Sequence, residues 1–212
     1  ISSRAFQVRN AEGEVVGMSI STHDKTKDIA GEGQNSEEKI LWQGRIRKAL
    51  EDESFEFWGQ PVLNAKSGEI DHTELLIRMR LGEELLQPGD FIPYAEESGM
   101  IELIDAWAIR RGIEVAASQP VAINLSGPSL STPRIGTIIS ATLTETGADS
   151  RNVRFEITET AAVENFDAAR DLVIDLNRMG CAVSLDDFGT GYGSFTYVRH
   201  LPAVDLKIDS SF

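Results

Sequence analysis

Residues 153–187, VRFEITETAAVENFDAARDLVIDLNRMGCAVSLDD, decide the fold because they predict a strand, a helix and a second strand in succession. The predicted strands are Val153–Thr158 and Ala182–Asp186, and the predicted helix is Ala161–Met179. Gly180 is a fitting C-terminal stop for this helix. Its apolar stripe, at helical spacing, consists of Phe166, Ala169, Val173 and Leu176. A strand, a helix and a strand in this order predict one unit of a parallel sheet.

The same alternation extends outward from this unit in both directions. Further predicted strands are Phe55–Leu63, Ile70–Arg78, Val121–Leu125 and Val204–Ile208. Further predicted helices are one that starts at Ser36, Pro88–Glu97, Ile101–Ala117, a stretch within Arg134–Thr146, and a short one near Ser194–His200. Such alternation predicts a parallel sheet that is either doubly wound or closed as a barrel. The sequence has no Gly-rich dinucleotide fingerprint and no Walker-type loop.

The first 35 residues follow a different pattern. Two short strands between Ala5 and Asp24 flank the turn-like residues 10–13, and the polar segment Lys25–Glu37 predicts a linker. We therefore expect residues 1–35 to be the tail of an upstream domain plus linker, and residues 36–212 to be the main domain. The hairpin is similar to the closing strands of PAS sensor domains, with Asp24-Lys25-Thr26 after it, and a generic β-hairpin fits equally well.

Composition and charge restrict the class of protein. The chain of 212 residues is 41% hydrophobic and 25% charged, as expected for a soluble globular domain that we place in the cytoplasm, although the parent protein could be membrane-anchored. A single cysteine, Cys181, permits no intrachain disulfide and favours a core role in a reducing compartment. The formal net charge of −14 argues against a DNA or RNA polymer as partner. A nucleotide ligand remains compatible with this charge if metal ions lie between carboxylates and phosphates.

Polar side chains lie at or near the ends of five predicted strands. These residues are Glu74 with Arg78, Asn124 with Ser126, Glu156 with Glu159, Asp186 with Asp187, and Lys207 with Asp209. Singly, Asp187 could be a helix cap, Glu74 and Arg78 a surface ion pair, and the others solvated residues. In a doubly wound sheet such groups would be split along an open edge, whereas a (β/α) barrel brings all strand ends to one mouth. The set therefore favours a barrel with a site at that mouth.

The chemistry of this set indicates a metal site. Hard oxygen ligands favour Mg²⁺ or Mn²⁺, and the three histidines show no zinc spacing. The adjacent carboxylates of Asp186 and Asp187 could hold two metals about 3.5–4 Å apart, an arrangement that displaces oxygen at phosphorus. Lys207 would then orient the attacking water or stabilise negative charge. The Gly-rich residues 188–193 that follow predict an adjustable loop.

From about Ile40 onward the motifs resemble, in order, those of EAL-domain cyclic di-GMP phosphodiesterases. The matching motifs are Gln60-Pro61-Val62, Glu74-Leu75-Leu76-Ile77-Arg78, Phe91-Ile92-Pro93, 95–99 (AEESG), Asn124-Leu125-Ser126, Glu156-Ile157-Thr158-Glu159, 186–192 (DDFGTGY) and Leu206-Lys207-Ile208-Asp209. The resemblance implies a TIM-like (β/α) barrel, a two-metal site for Mg²⁺ or Mn²⁺, and cyclic di-GMP as ligand. It also implies a homodimer formed through the barrel, and the upstream segment suggests a sensor domain that regulates it.

The resemblance also assigns roles to individual residues. It implies that the first metal is held by Glu74, Asn124, Glu156 and Asp186. Asp186 would bridge to a second metal that Asp187 also holds, and Lys207 would contact the nucleophilic water. Ligand contacts are implied for Gln60 and Arg78, a loop-anchoring role for Glu159, and a position near the metals for Asp209.

Three features depart from the family pattern. Leu75 replaces the alanine of the signature on the face away from the site, and Gly193 stands where serine is usual. The chain ends at Phe212, just after the sixth predicted barrel strand, whereas such barrels have eight strands and typically ~250 residues. We therefore expect a barrel that is incomplete at its C-terminus, and no turnover by this fragment alone.

Two functions from different classes follow. The first is an enzyme that hydrolyses cyclic di-GMP to linear pGpG in bacterial signalling. The second is a receptor that binds the nucleotide without hydrolysing it. Retention of Glu74, the Asp186–Asp187 pair and Lys207 favours the enzyme. A third alternative, an unrelated metal-dependent barrel enzyme, would require the ordered motif matches to be accidental.

Overall fold

The fold is described from a computed structural model. It covers residues 6–9, 15–19, 32–189, 201–203 and 205–208, with side chains from residue 37 onward. The chain divides into two units, Ile1–Leu41 and Trp42–Phe212. Within the described residues, no helix has the length and apolar character needed to span a bilayer. The predicted short helix near Ser194–His200 lies outside the described residues.

The N-terminal segment contains the predicted hairpin, and a helix begins within the predicted linker. Strands β1 (Phe6–Arg9) and β2 (Val15–Ser19) pair antiparallel. Helix α1 spans Glu32–Glu51 and therefore begins within the predicted linker, ahead of Ser36. Strong helix formers in residues 32–39 outweigh Gly33, because one glycine costs a helix only about 1 kcal/mol. The origin of the hairpin in a PAS-like domain stays a prediction.

A seven-stranded sheet organises the second unit. Its strands are β3 (Phe55–Leu63), β4 (Ile70–Leu81), β5 (Glu84–Leu86), β6 (Val121–Leu125), β7 (Val153–Thr158), β8 (Ala182–Phe188) and β9 (Asp205–Ile208). Their order is β3-β4-β6-β7-β8-β9, with β5 paired to β4. The ladders from β4 through β6, β7 and β8 to β9 are parallel. Hydrogen bonds among the described strands do not close this sheet into a cylinder.

Strands β3 and β4 correct the expectation of a wholly parallel sheet, because they pair antiparallel. Only residues 64–69 connect them, and a parallel crossover needs about a dozen residues or more. Asn64 closes this turn, since its side chain accepts hydrogen bonds from the backbone N–H groups of Lys66 and Ser67. The strands of this hairpin therefore run in opposite directions at the start of the sheet.

Helices follow the strands much as predicted, with one interruption. They are α2 (Pro88–Ser98), α3 (Ile101–Ala116), α4 (Gly127–Leu130), α5 (Arg134–Thr146), α6 (Glu159–Glu164) and α7 (Phe166–Met179). The predicted single helix Ala161–Met179 is wrong, because Asn165, at φ −126° and ψ 47°, separates α6 from α7. Strand β5 and helix α4 were not predicted, since three or four residues show too little periodicity.

The two faces of the sheet differ in polarity. One face is apolar, and its fully buried residues Ile123, Phe155 and Val183 belong to a core shared with α3, α5 and α7. On the other face, the parallel ladders pair Asn124 with Glu156, and Glu156 with Ser184. Because paired residues of neighbouring strands point to the same side, the polar groups line the inner face of the sheet.

Helix α3 and strand β6 pack closely at Gly112. A Cβ atom at this position would lie 2.5 Å from Ile123 Cδ1. We expect Gly112→Ala to lower the free energy of unfolding by about 1–3 kcal/mol, because the added methyl overpacks the core. Gly44→Ala is the matched control at an exposed position of helix α1, where no atom of the described residues lies within 4 Å of the added Cβ, and it should raise this free energy by about 0.5–1 kcal/mol. Urea denaturation of both variants measures the difference, and equal stabilities would contradict this account of the packing.

Candidate active site

Three carboxylates from separate strands meet on the inner face of the sheet. Glu74 on β4, Glu156 on β7 and Asp186 on β8 place oxygen atoms within 4.8 Å of one another. The strand register accounts for this arrangement. Glu74 pairs with Ala122 on the intervening strand β6, and Asn124, two residues further along β6, pairs with Glu156 on β7. Asp186 pairs with Thr158, two residues after Glu156. The sheet thus assembles carboxylates that are far apart in sequence.

Lys207 on β9 lies at the centre of this cluster. Its Nζ donates to Glu74 Oε2 at 2.9 Å, Glu156 Oε2 at 2.7 Å and Asp186 Oδ2 at 3.1 Å. Burial alone would lower the pKa of Lys207, but the contacts with Glu156 and Glu74 outweigh it and raise this pKa. Burial would likewise raise the pKa of Glu74, yet Lys207 and Asn124 lower it. One ammonium facing three carboxylates leaves an excess of negative charge at the cluster.

Glu156 carries the feature that fits a metal ion best. Its side chain is 0% exposed, and its Oε1 is buried with no hydrogen-bond partner among the described residues. Burial, followed by repulsion from Glu74, raises the pKa of Glu156 to about 7. An unpartnered buried carboxylate oxygen is costly unless a cation compensates it. The amide of Asn124 donates from Nδ2 to Glu74 Oε1 at 3.1 Å, which keeps its carbonyl oxygen as an additional hard ligand. This donor set fits a divalent cation such as Mg²⁺ or Mn²⁺.

The adjacent aspartates sit at an irregular strand end. The β8–β9 ladder shifts register between Leu185 and Phe188, and Asp187 adopts a positive φ of 54°. The side chain of Asp187 is exposed, and it is not one of the three carboxylates clustered within 4.8 Å. Its role at a second metal therefore stays a prediction, as does that of Asp209, which lies outside the described residues.

Glu159 holds the turn that follows β8. Its side chain is buried, at 2% exposure, and its Oε2 accepts a hydrogen bond from the backbone N–H of Gly189 at 2.6 Å. Gly189 has a φ of 102°, which favours glycine. The contact lies at the start of the Gly-rich loop, whose anchoring by Glu159 stays a prediction.

The predicted ligand contacts Gln60 and Arg78 lie on the same inner face as Glu74. In the antiparallel hairpin Gln60 pairs with Glu74, and Glu56 pairs with Arg78. Arg78 Nη1 donates to the Ile77 carbonyl at 2.8 Å, whereas its Nε is buried and has no hydrogen-bond partner in the part of the chain that the structure describes. Burial lowers the pKa of Arg78. Glu74 is paired with Lys207 and Asn124, so the alternative of a surface ion pair between Glu74 and Arg78 is wrong.

Comparison with known proteins identifies the family. The sequence model of the EAL domain family matches residues 43–212. This chain belongs to the EAL domain family. It is 34% identical over 184 residues to the cyclic di-GMP phosphodiesterase NbdA of Pseudomonas aeruginosa, which covers 82% of this chain and 24% of NbdA. It is 33% identical over 183 residues to the cyclic di-GMP phosphodiesterase PdeF of Escherichia coli K12, with the same coverages of 82% and 24%. The chain therefore spans about a quarter of the length of these relatives.

Solved structures confirm the TIM-like barrel fold of this EAL domain. The Xanthomonas citri FimX EAL domain in complex with c-diGMP matches with a TM-score of 0.78 at 24% identity, over 85% of this chain and 73% of that chain. The Pseudomonas aeruginosa FimX EAL domain bound to c-di-GMP gives 0.77 at 26% identity, over 80% and 72%. The PaMucR phosphodiesterase in its c-di-GMP complex gives 0.70 at 30% identity, over 80% and 72%.

The EAL domain contains one supporting residue that sequence patterns did not reveal. Asp105 on α3 is 5% exposed, and its Oδ2 accepts hydrogen bonds from Ser126 N at 3.1 Å and Ser126 Oγ at 2.5 Å. Ser126 lies two residues after Asn124 and directly precedes helix α4. A sequence signal for Asp105 does exist, because its position four residues after Ile101 places a charged residue on the buried face of helix α3. Asp105 thereby ties this helix to the strand end that carries Asn124.

This buried carboxyl predicts a pH dependence of stability. Burial raises the pKa of Asp105 in spite of its bonds with Ser126, and Glu102 adds repulsion. Burial, followed by repulsion from Asp105, also raises the pKa of Glu96 on α2. Because the unfolded chain loses the Asp105 proton first, stability falls as pH rises from the unfolded value toward the raised one. Asp105→Asn removes this titration. We therefore expect wild type to lose stability relative to the variant over the range of pH upward from about 4, the ordinary pKa of an aspartic acid. Urea denaturation across this range measures it, and a constant difference would refute the assignment.

Proposed function

We propose that this EAL domain is a metal-dependent phosphodiesterase that hydrolyses cyclic di-GMP to linear pGpG in bacterial second-messenger signalling. The observation that carries the proposal is the cluster of Glu74, Glu156 and Asp186 around Lys207, on the same face as Arg78. The relatives named cyclic di-GMP phosphodiesterases and the nucleotide-bound EAL structures support the choice of substrate. Binding without hydrolysis is the alternative.

The residues divide into those that hold metal and those that hold nucleotide. Metal ligands in this proposal are Glu74, Asn124, Glu156 and Asp186, with Asp187 at a second ion. Bound Mg²⁺ or Mn²⁺ would lower the pKa of a water molecule and neutralise charge on the phosphodiester. The buried Oε1 of Glu156 and the carbonyl oxygen of Asn124 supply the hard ligands that such ions prefer.

The remaining groups position nucleotide and water. Arg78 keeps N–H donors for a phosphate oxygen, and a guanidinium matches phosphate geometry well. Gln60, opposite Glu74, is exposed on the inner face and can donate to the ligand. The ammonium of Lys207 would orient the attacking water by a hydrogen bond, and Glu159 would hold the turn after Asp187 through Gly189. A homodimer formed through the barrel and a regulating upstream sensor domain stay proposals that this chemistry does not require.

The deciding experiment uses the natural protein in its full length. It is incubated with cyclic di-GMP and Mg²⁺ or Mn²⁺, and pGpG is followed by chromatography, with Glu74→Ala as the inactive control. Metal-dependent pGpG that disappears in Glu74→Ala would support the phosphodiesterase. Saturable binding without product would favour the receptor, and neither product nor binding would refute both. The same assay on the 212-residue chain tests our expectation that it has no turnover alone.

A further inference from the structure

The β3–β4 hairpin presents a tryptophan to the inner face that the proposed chemistry leaves without a role. Trp58 pairs with Leu76, which lies between Glu74 and Arg78 along β4. Since alternate residues of a strand share a face, the indole lies on the side that carries both functional groups. It is 41% exposed, which is unusual for so large an apolar side chain. An exposed tryptophan beside a polar site indicates contact with the functional groups of that site and not a role in core packing.

The indole ring is held in a fixed orientation. Trp58 Nε1 donates to Glu56 Oε1 at 3.0 Å. Glu56 is itself held by Arg80, whose Nη2 lies 2.9 Å from Oε2 and 3.1 Å from Oε1. The carboxylate therefore connects the ring to a second basic residue of β4. These contacts restrain an indole that would otherwise be free to change rotamer on an exposed surface.

The guanidinium of Arg78 lies over this ring. Its Cζ atom is 5.5 Å from the centroid of Trp58, within the range of a cation–π contact. Its only other polar contact in the described part of the chain is the bond from Nη1 to the Ile77 carbonyl. The ring is thus a main restraint on the guanidinium plane. Because a π contact uses no N–H group, the remaining donors of Arg78 are kept for an anion.

We propose that Trp58 is a positioning residue that holds the Arg78 guanidinium in the orientation needed to bind a phosphodiester group. The inference rests on the proposed function, because it takes Arg78 to contact the phosphodiester of cyclic di-GMP. Trp58 then acts on the nucleotide through Arg78 and not by stacking on a base. The contacts Arg80–Glu56, Glu56–Trp58 and Trp58–Arg78 form a continuous series along the β3–β4 hairpin, on the face that carries Glu74.

A double-mutant cycle tests this role. Affinity for cyclic di-GMP is measured by calorimetry in EDTA-containing buffer, where turnover does not interfere, with the full-length natural protein. Trp58→Leu removes the π face and should weaken binding about 3- to 30-fold, whereas Trp58→Phe should retain most of the affinity. In an Arg78→Ala background the same Trp58→Leu change should have little further effect, because the group that it positions is gone. Thermal unfolding of each variant confirms that it is folded.

Every other outcome overturns either the positioning role of Trp58 or the proposed function. An equal loss from Trp58→Leu in both backgrounds would mean that the indole contacts the nucleotide directly, and would overturn the positioning role. Unchanged affinity in Trp58→Leu, or an equal loss in Trp58→Phe, would overturn it as well. Wild-type protein that neither binds cyclic di-GMP in EDTA nor hydrolyses it with Mg²⁺ or Mn²⁺ would instead overturn the proposed function, and this inference with it.

Discussion

Replacing Glu156 by glutamine is expected to reduce metal-dependent turnover of cyclic di-GMP by more than about 100-fold while leaving the fold intact. Replacing even outer-shell partners of a metal typically costs 10- to 100-fold, so loss of a ligand should cost more. Glutamine has nearly the same shape, so the fully buried site can hold it without a cavity. Glutamine cannot provide the negatively charged oxygen that a metal ion would bind. In wild type that oxygen is Oε1 of Glu156, which has no hydrogen-bond partner within the described residues.

The measurement is turnover at increasing Mn²⁺ or Mg²⁺, together with thermal unfolding in EDTA. Glu145→Gln is the matched control, because Glu145 lies exposed on α5 away from the cluster. We expect the control to behave as wild type, and the Glu156 variant to keep its unfolding temperature within a few degrees while its activity is lost. Full activity of Glu156→Gln at ordinary metal concentrations would show that Glu156 is not a metal ligand.

Much of the fold could be predicted because buried parallel strands have a simple signature. The strands Val121–Leu125 and Val153–Thr158 were predicted with their observed bounds, since the first is a short, mostly apolar run and the second alternates apolar and polar residues. The antiparallel start of the sheet was missed because alternation along the chain does not specify strand direction. The length of the connection between β3 and β4 does specify it. The break at Asn165 was missed because the apolar stripe continues in phase across it.

The site was predictable to the extent that strand periodicity determines it. Alternation and parallel pairing place Glu74, Glu156 and Asp186 on one face. Lys207 contacts the same cluster although it is 133 residues from Glu74 in sequence. The contacts of individual side chains follow from three-dimensional packing and carry no sequence pattern. Lys207 was expected beside a water molecule and is found bonded to three carboxylates. The contacts Asp105–Ser126 and Trp58–Arg78 were missed for the same reason.

Replacing Lys207 by methionine is expected to destabilise the metal-free protein and to abolish turnover. Lys207 is the cation that neutralises the buried Glu156, and its own side chain is 30% exposed. Removing one partner of a buried ion pair costs 3–5 kcal/mol, and partial exposure reduces this to about 2–3 kcal/mol. For a chain of this size that corresponds to a fall of about 5–10 °C in unfolding temperature. Lys48→Met is the control, because Lys48 is 73% exposed, and it should lower that temperature by less than about 2 °C.

Metal addition separates the two roles of Lys207. A divalent cation bound by Glu74, Glu156 and Asp186 would replace the charge that the variant lacks, so Mn²⁺ should raise the unfolding temperature of Lys207→Met more than that of wild type. Turnover should not return, because a methionine cannot donate the hydrogen bond that orients the attacking water. Thermal unfolding with and without Mn²⁺, beside pGpG formation, tests both statements. If Mn²⁺ restores both stability and activity, Lys207 acts only as a counter-ion. If Mn²⁺ does not stabilise the variant, the three carboxylates do not form a metal site.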